Sequence, residues 1–290
     1  MIRLVKRSTL ETEKYDSCIA HSQNPRIYAF SWYLDVLTED WDVLVLGDYQ
    51  SVMPLPYLRL KRFLYQRKIL QPTFCQQLGV FHQSGSTLES VKAFYEEFAK
   101  LKPKAYNFNS SNTPALQFTI ENLNEKVNYE LHLKKSYEDL RKSFAKNLKN
   151  TVSKASRVGL NVRLIDDIED FVQFKKKVAL NKIKDSQYDI MAKLIHEIRI
   201  REMGMIHGIY QEEQLIGAAF FVHTKDRLLH LISGVNDDGK KHGAMPFLFD
   251  FLINKNADQD KIFDFEGSMI QGIAFFYQRF GSVQNNYLSI

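Results

Sequence analysis

Residues 228–281 read LLHLISGVNDDGKKHGAMPFLFDFLINKNADQDKIFDFEGSMIQGIAFFYQRFG. The run 228–235 is apolar and of strand length. A polar loop over 236–242 follows, with Gly239 and Gly243 about the basic side chains Lys240, Lys241 and His242. Residues 244–254 then predict a strongly apolar helix. A second strand over 261–267 alternates Phe263 and Phe265 with Asp264 and Glu266. The stretch closes on a helix over 269–280 that carries Ile273, Ala274, Phe276, Tyr277 and Phe280. Just upstream, 205–210 and 215–223 flank the polar turn 211–214 and predict a hairpin.

The same order occurs earlier in the chain. Runs 41–47 and 52–60 flank the turn 48–51. They lead to a strand ending Gln77-Leu78-Gly79-Val80, a Gly/Ser loop over 83–86, a helix over 88–101 and a strand over 104–110. One supersecondary plan written twice predicts two lobes, 1–133 and 134–290. Each is an α/β (α+β) unit with a mixed, mostly antiparallel sheet flanked by helices. The 290 residues suffice for two cores, and 44% hydrophobic with 25% charged residues is an ordinary globular balance. Further helical periodicity lies at Ile168, Phe171, Val172 and Phe174, and at Tyr188, Met191, Leu194, Ile195 and Ile198. Residues 1–7 alternate apolar and basic side chains and predict a first strand.

At the junction, Ser136-Tyr137-Glu138-Asp139 has the form of a capping box and predicts one long helix. Tyr137, Leu140, Phe144, Leu148, Val152 and Ala155 make its apolar stripe, and Gly159 ends it before a strand over 160–165. Residues 134–157 hold eight basic residues against two acidic ones, whereas the whole chain carries +5. The positive charge is therefore concentrated in this segment. Lys142, Lys146, Lys149 and Arg157 share its polar face, which suits phosphate or, more plainly, solvent.

Several chemistries are excluded. Cys18 and Cys75 are far apart and outside any C-x-x-C pair, so neither a disulfide framework nor a cysteine zinc site is expected. The histidines have no metal-ligand spacing, and His207, His223 and His230 read as structural strand residues. No serine-nucleophile elbow and no dinucleotide glycine motif occurs. Residues 234–240 approach a phosphate-binding P-loop, but Lys241 stands where Ser or Thr is needed and Asp237 and Asp238 would repel phosphate. No run is long enough to span a bilayer, and the N-terminus lacks a signal-peptide core, so a cytoplasmic location is expected. What remains is an anion site built from helix-entry amides beside Lys240–Ala244, and a strand-end carboxylate, Glu266, that could take a proton from an amine. Capping or ion pairing is the plainer role for Glu266, and core packing for Tyr277.

On these residues the chain resembles the GNAT-type acyltransferases. Lys240-Lys241-His242-Gly243-Ala244 lies where that family carries its pyrophosphate loop, with Lys240 in place of Arg or Gln and Met245 in place of Gly or Ala. Phe276-Tyr277-Gln278-Arg279-Phe280-Gly281 is similar to the family's Phe-Tyr-x-x-x-Gly segment. Over nearly its whole length the chain is similar to the two-lobed, FemAB-like branch. Residues 146–159, Gln76-Gln77-Leu78-Gly79 and Asp264-Phe265-Glu266-Gly267-Ser268 carry that likeness.

The resemblance implies tandem GNAT-like lobes and transfer of an acyl or aminoacyl group to a small-molecule or peptide amine, at a cleft on the second lobe or between the lobes. Acyl-CoA or aminoacyl-tRNA would serve as donor cosubstrate, with no tightly bound cofactor, no metal and no DNA partner. It implies Glu266 as base and Tyr277 as acid. It further implies Lys240, Lys241, His242, Gly243 and Ala244 at the donor, and Gln76, Gln77, Lys146 and Lys149 at substrate or tRNA. The alternative is a non-catalytic protein that holds a peptide, an anionic ligand or RNA.

Overall fold

A computed structural model describes residues 1–59, 67–83, 87–117, 119–179, 183–267 and 269–290. Leu60, which the first hairpin was expected to include, the loop residues Ser84–Ser86 and the motif residue Ser268 lie outside the described residues. The first part of the chain forms β1 (Ile2–Lys6), α1 (Thr12–Ala20), α2 (Ser31–Leu37), β2 (Trp41–Leu46), β3 (Ser51–Arg59), β4 (Arg67–Ile69), β5 (Phe81–His82), α3 (Leu88–Lys100), α4 (Thr113–Leu116) and β6 (Asn124–Lys126). Next come β7 (Tyr129–His132), α5 (Tyr137–Ser143), α6 (Lys146–Arg157), β8 (Leu160–Leu164), α7 (Ile168–Val178), α8 (Asp185–Arg199), β9 (Gly204–Gln211), β10 (Gln214–His223) and β11 (Arg227–Val235). The chain closes with α9 (Asp237–His242), α10 (Ala244–Lys255), β12 (Ile262–Asp264), α11 (Gln271–Gln278), β13 (Val283–Gln284) and β14 (Tyr287–Ser289).

Two compact units result: Met1–Lys126 with Asn286–Ile290, and Val127–Asn285. The change of unit thus falls seven residues before position 133, because β7 pairs with β12 in the second unit's sheet. The last five residues return to the first unit, where β14 pairs β6 and Phe108 N–H donates to the Leu288 carbonyl at 2.8 Å.

In the first unit the strands run β1-β2-β3-β4, with β5 also on β3, all antiparallel. Aromatic side chains fill its core, among them Tyr15, Trp41, Phe81, Phe94, Phe98 and Phe108. The strands expected to end at Val80 and to span 104–110 shrink to isolated bridges, Leu78 with Phe108 in parallel and Asn107 with Ser289. Cys18 and Cys75 are free and buried.

The second unit holds a seven-stranded sheet, β13-β7-β12-β11-β10-β9-β8, in which β11 and β12 make the one parallel pair. Leu140, Phe144, Leu148, Phe221, Phe249 and Phe263 belong to the core on one of its faces. Helices α7 and α8 cover the other face, burying Phe171, Val172, Met191 and Leu194. The long helix expected from Ser136 is two helices. Phe144 and Ala145 take extended backbone, and the Ala145 N–H donates to the Arg279 carbonyl at 2.8 Å instead of continuing the helix. The side chain of Ser136 still caps the first of them, through the Asp139 N–H.

The fold is a tandem, mixed α/β arrangement. In each unit an antiparallel run leads to one parallel contact, β11 with β12 in the second unit and Leu78 with Phe108 in the first.

Candidate active site

Strands β11 and β12 pair only over Arg227–Ile262, Leu228–Phe263 and Leu229–Asp264. Beyond that point β11 runs on to Val235, while β12 has ended. A wedge therefore opens in the sheet, and two local causes are visible. Against β10 the register jumps from Phe220–Ile232 to Phe221–His230, leaving Leu231 as the extra residue of a bulge that bends β11. On the other side, Glu266 takes a left-handed backbone (φ 56°) that stops the strand expected over 261–267 at Asp264. Gly267 follows because a Cβ there would lie 1.6 Å from the Val127 carbonyl oxygen.

The closed end of the wedge is pinned by charge. Arg227 donates from one guanidinium nitrogen to Glu130 and to Asp264, each at 2.7 Å, and Asn128 Nδ2 reaches Asp264 Oδ1 at 3.2 Å. Asn128 and the two carboxylates are buried, Arg227 is partly so, and together they join β7, β12 and β11. The Glu266 N–H also donates to Asp264 Oδ1, at 3.0 Å, which ties the Glu266 turn to the same cluster.

Glu266 and Tyr277, read from the sequence as base and acid, are brought together here. Burial pushes the Tyr277 hydroxyl well above its ordinary range, and the neighbouring carboxylates of Glu266 and Asp264 add to the rise. Tyr277 consequently stays protonated at neutral pH. Its ring packs on Phe265 at 5.2 Å and lies 6.3 Å from His230.

Two wedge residues were missed in the sequence. His230, 7% exposed, packs against Phe221 and Phe249 with the Phe265 carbonyl beside its ring. Burial lowers it to about 4, so it is neutral at physiological pH. Lys175 reaches over from α7 and donates to the Ser233 carbonyl on β11. His230 looked like an ordinary strand histidine, and Lys175 like one of three consecutive lysines on a helix. Only an apolar neighbourhood for the former could have singled it out beforehand.

The expected donor loop is structured otherwise. Residues 237–242 form the helix α9 in place of an open polar loop, because the Asn236 side chain caps it through the Gly239 N–H at 2.8 Å. The N–H groups of Gly239, Lys240 and Gly243 are thereby committed within the helix or its caps. Lys240 pairs with Asp237 at 2.8 Å, Lys241 is exposed, His242 is half-buried, and Ala244 is fully buried at the start of α10. Gly243 adopts φ 73°, and a Cβ on it would come within 2.5 Å of Thr151 Cγ2. The glycine thus serves a close approach of helices as well as a helix end.

Lys146 is exposed at the start of α6, whose first turn has no side-chain cap and no acid. Lys149 lies one turn on and donates to the Lys142 carbonyl at 3.0 Å. Gln76 and Gln77 lie in the first unit, far along the chain from this wedge. Gln77 is 1% exposed, donates to Gln76 Oε1 at 2.8 Å and accepts from the Ser110 N–H at 3.1 Å, so it braces backbone. Among the described residues no group of His, Cys, Asp and Glu converges as a metal site, and no helix is long and apolar enough to cross a membrane.

No family model and no curated protein sequence matches the chain. Solved structures do. FemX superposes with a TM-score of 0.68 at 10% identity, over 96% of each chain. The L-PGS structure from Bacillus licheniformis gives 0.57 at 12% identity, over 96% of this chain and 90% of that one. A tandem GNAT protein from the clavulanic acid biosynthesis pathway gives 0.56 at 9% identity, over 100% and 97%. The fold is therefore a GNAT-like, FemAB-related one, consistent with the resemblance read from the sequence.

Proposed function

We propose that this chain is an acyl- or aminoacyltransferase that forms an amide bond on an amine acceptor in the wedge of its second unit. The observation that carries this reading is the splayed β11/β12 pair with Tyr277 and Glu266 gathered about it. An extended donor can lie along the unpaired edge of β11. The amine nitrogen attacks the donor carbonyl, Glu266 takes the proton that the amine sheds, and Tyr277 gives one to the leaving group.

The donor that fits best is an ester of the aminoacyl-tRNA kind, in preference to a CoA thioester. A pyrophosphate cradle needs free, accessible backbone N–H groups; α9 has committed those of Gly239, Lys240 and Gly243, and at the start of α10, itself uncapped by any side chain, Ala244 is fully buried. Phosphate groups have a better seat at the uncapped, basic first turn of α6, which the Ala145–Arg279 hydrogen bond ties to the end of the Tyr277 helix.

The test is transfer of a radiolabelled amino acid from charged tRNA to a panel of amines, run beside acetyl-CoA and a long-chain acyl-CoA. Transfer from charged tRNA alone is the expected result. Transfer from a CoA species alone would overturn the donor assignment. Salt-dependent tRNA binding without any transfer would leave a binding protein.

A further inference from the structure

The three lysines of α7 face different fates. Lys176 pairs with Asp185, Lys177 is exposed, and Lys175 turns onto the sheet. Helix α7 crosses β11 so closely at Gly234 that a Cβ there would lie 2.8 Å from Val178 Cγ2 and 3.3 Å from Lys175 Cδ. That crossing delivers the Lys175 ammonium to the Ser233 carbonyl, on the stretch of β11 beyond the last residue paired with β12. Among the described residues no carboxylate forms an ion pair with it, although burial disfavours its charge. One carbonyl satisfies one of an ammonium's three donor hydrogens. A half-buried cation in this state is a site prepared for negative charge.

A neutral imidazole lies in the core beneath: His230 packs against Phe221 and Phe249, with the Phe265 carbonyl beside its ring.

We propose that Lys175 is the oxyanion-stabilising residue of the wedge. The assignment rests on the transferase reading above. The amine lone pair forms the new C–N bond, and the carbonyl π pair moves onto oxygen, where the Lys175 ammonium receives it. Collapse restores the carbonyl and breaks the ester C–O bond. The proton shed by the amine goes to Glu266, and the departing alkoxide takes one from Tyr277, so protons balance over a turnover.

The probe is a non-hydrolysable phosphonate analogue of an aminoacyl ester, whose tetrahedral anion imitates the intermediate. Two readouts are taken. The first is the rate of Lys175 acetylation by acetic anhydride, followed by peptide mass spectrometry with and without the phosphonate. The second is steady-state transfer by wild type, Lys175→Met and Lys175→Arg. The expected results are at least tenfold protection of Lys175 and about a 10²–10³-fold loss of kcat in Lys175→Met with little change in KM. Lys175→Arg, which keeps the charge, should recover part of the loss and also covers the case in which the methionine variant does not fold. Protection without turnover from any donor keeps the anion site and sinks the transferase reading. Turnover within twofold of wild type in Lys175→Met, or absence of protection, overturns the proposal.

Discussion

At the scale of single residues, the Glu266–Tyr277 pair makes the sharpest claim. Tyr277→Phe removes one oxygen from a ring that stays packed on Phe265, so folding should be retained while kcat falls about 10²-fold. Glu266→Gln should lower kcat by a similar factor and leave the thermal midpoint near wild type. Full turnover in either variant would remove that residue from the mechanism. Glu266 was singled out by its alternation with Phe263 and Phe265, although the strand stops at Asp264, and Tyr277 by its likeness to the Phe-Tyr-x-x-x-Gly segment. Lys175 was not legible. Its role depends on where α7 crosses β11, a tertiary fact that Lys175-Lys176-Lys177 does not encode locally. Gln77 shows the converse. Its sequence left it between lining a cleft and pairing with backbone, and its side chain accepts from the Ser110 N–H.

Among elements, the strands β7, β12 and β11 depend on one guanidinium. Arg227 sits between two buried carboxylates, and truncating it to methionine would leave Glu130 and Asp264 facing each other without a counterion. Arg227→Met should destabilise the second unit by about 3–5 kcal/mol, read from urea unfolding. Arg227→Lys should cost less, because it keeps a charge. A loss under about 1 kcal/mol would show that the cluster only decorates the sheet. The longer elements were readable from periodicity alone: the hairpin β9–β10, the apolar helix α10 and the helices α7 and α8 follow from spacing. The misreadings lie where tertiary contacts overrule local pattern. A single helix was expected from Ser136 because the stripe from Leu140 to Ala155 is continuous, yet the Arg279 carbonyl captures the Ala145 N–H and divides it. Residues 237–242 looked like a loop for their charge and glycines, and one Asn236 cap winds them into a helix.

For the whole molecule, pH provides a global test. His207 and His230 are lowered to about 4, and His223 is also lowered, in each case first through burial. Above pH 6.5 these rings are neutral in both folded and unfolded chains, and their contribution to stability is complete. As pH falls from 6.5 towards 4, the unfolded chain takes up protons that the folded unit refuses, so stability drops. His230 alone accounts for about 3 kcal/mol over that window, from the difference between 6.5 and about 4. Urea midpoints at pH 7.5, 6 and 5 should decline, and His230→Phe should flatten the decline. A midpoint independent of pH across this range would contradict the burial of these rings.

The path of the chain has a consequence in time. Residues 286–290 leave the ribosome only after the whole second unit has been made, yet they carry the strand that pairs β6 and the backbone at Asn107. Whatever the first unit builds during synthesis, its Tyr106–Phe108 edge waits uncovered until then, a surface of unpaired amides for a chaperone to guard or a neighbouring nascent chain to seize. The first unit, made before the second, is thus finished after it.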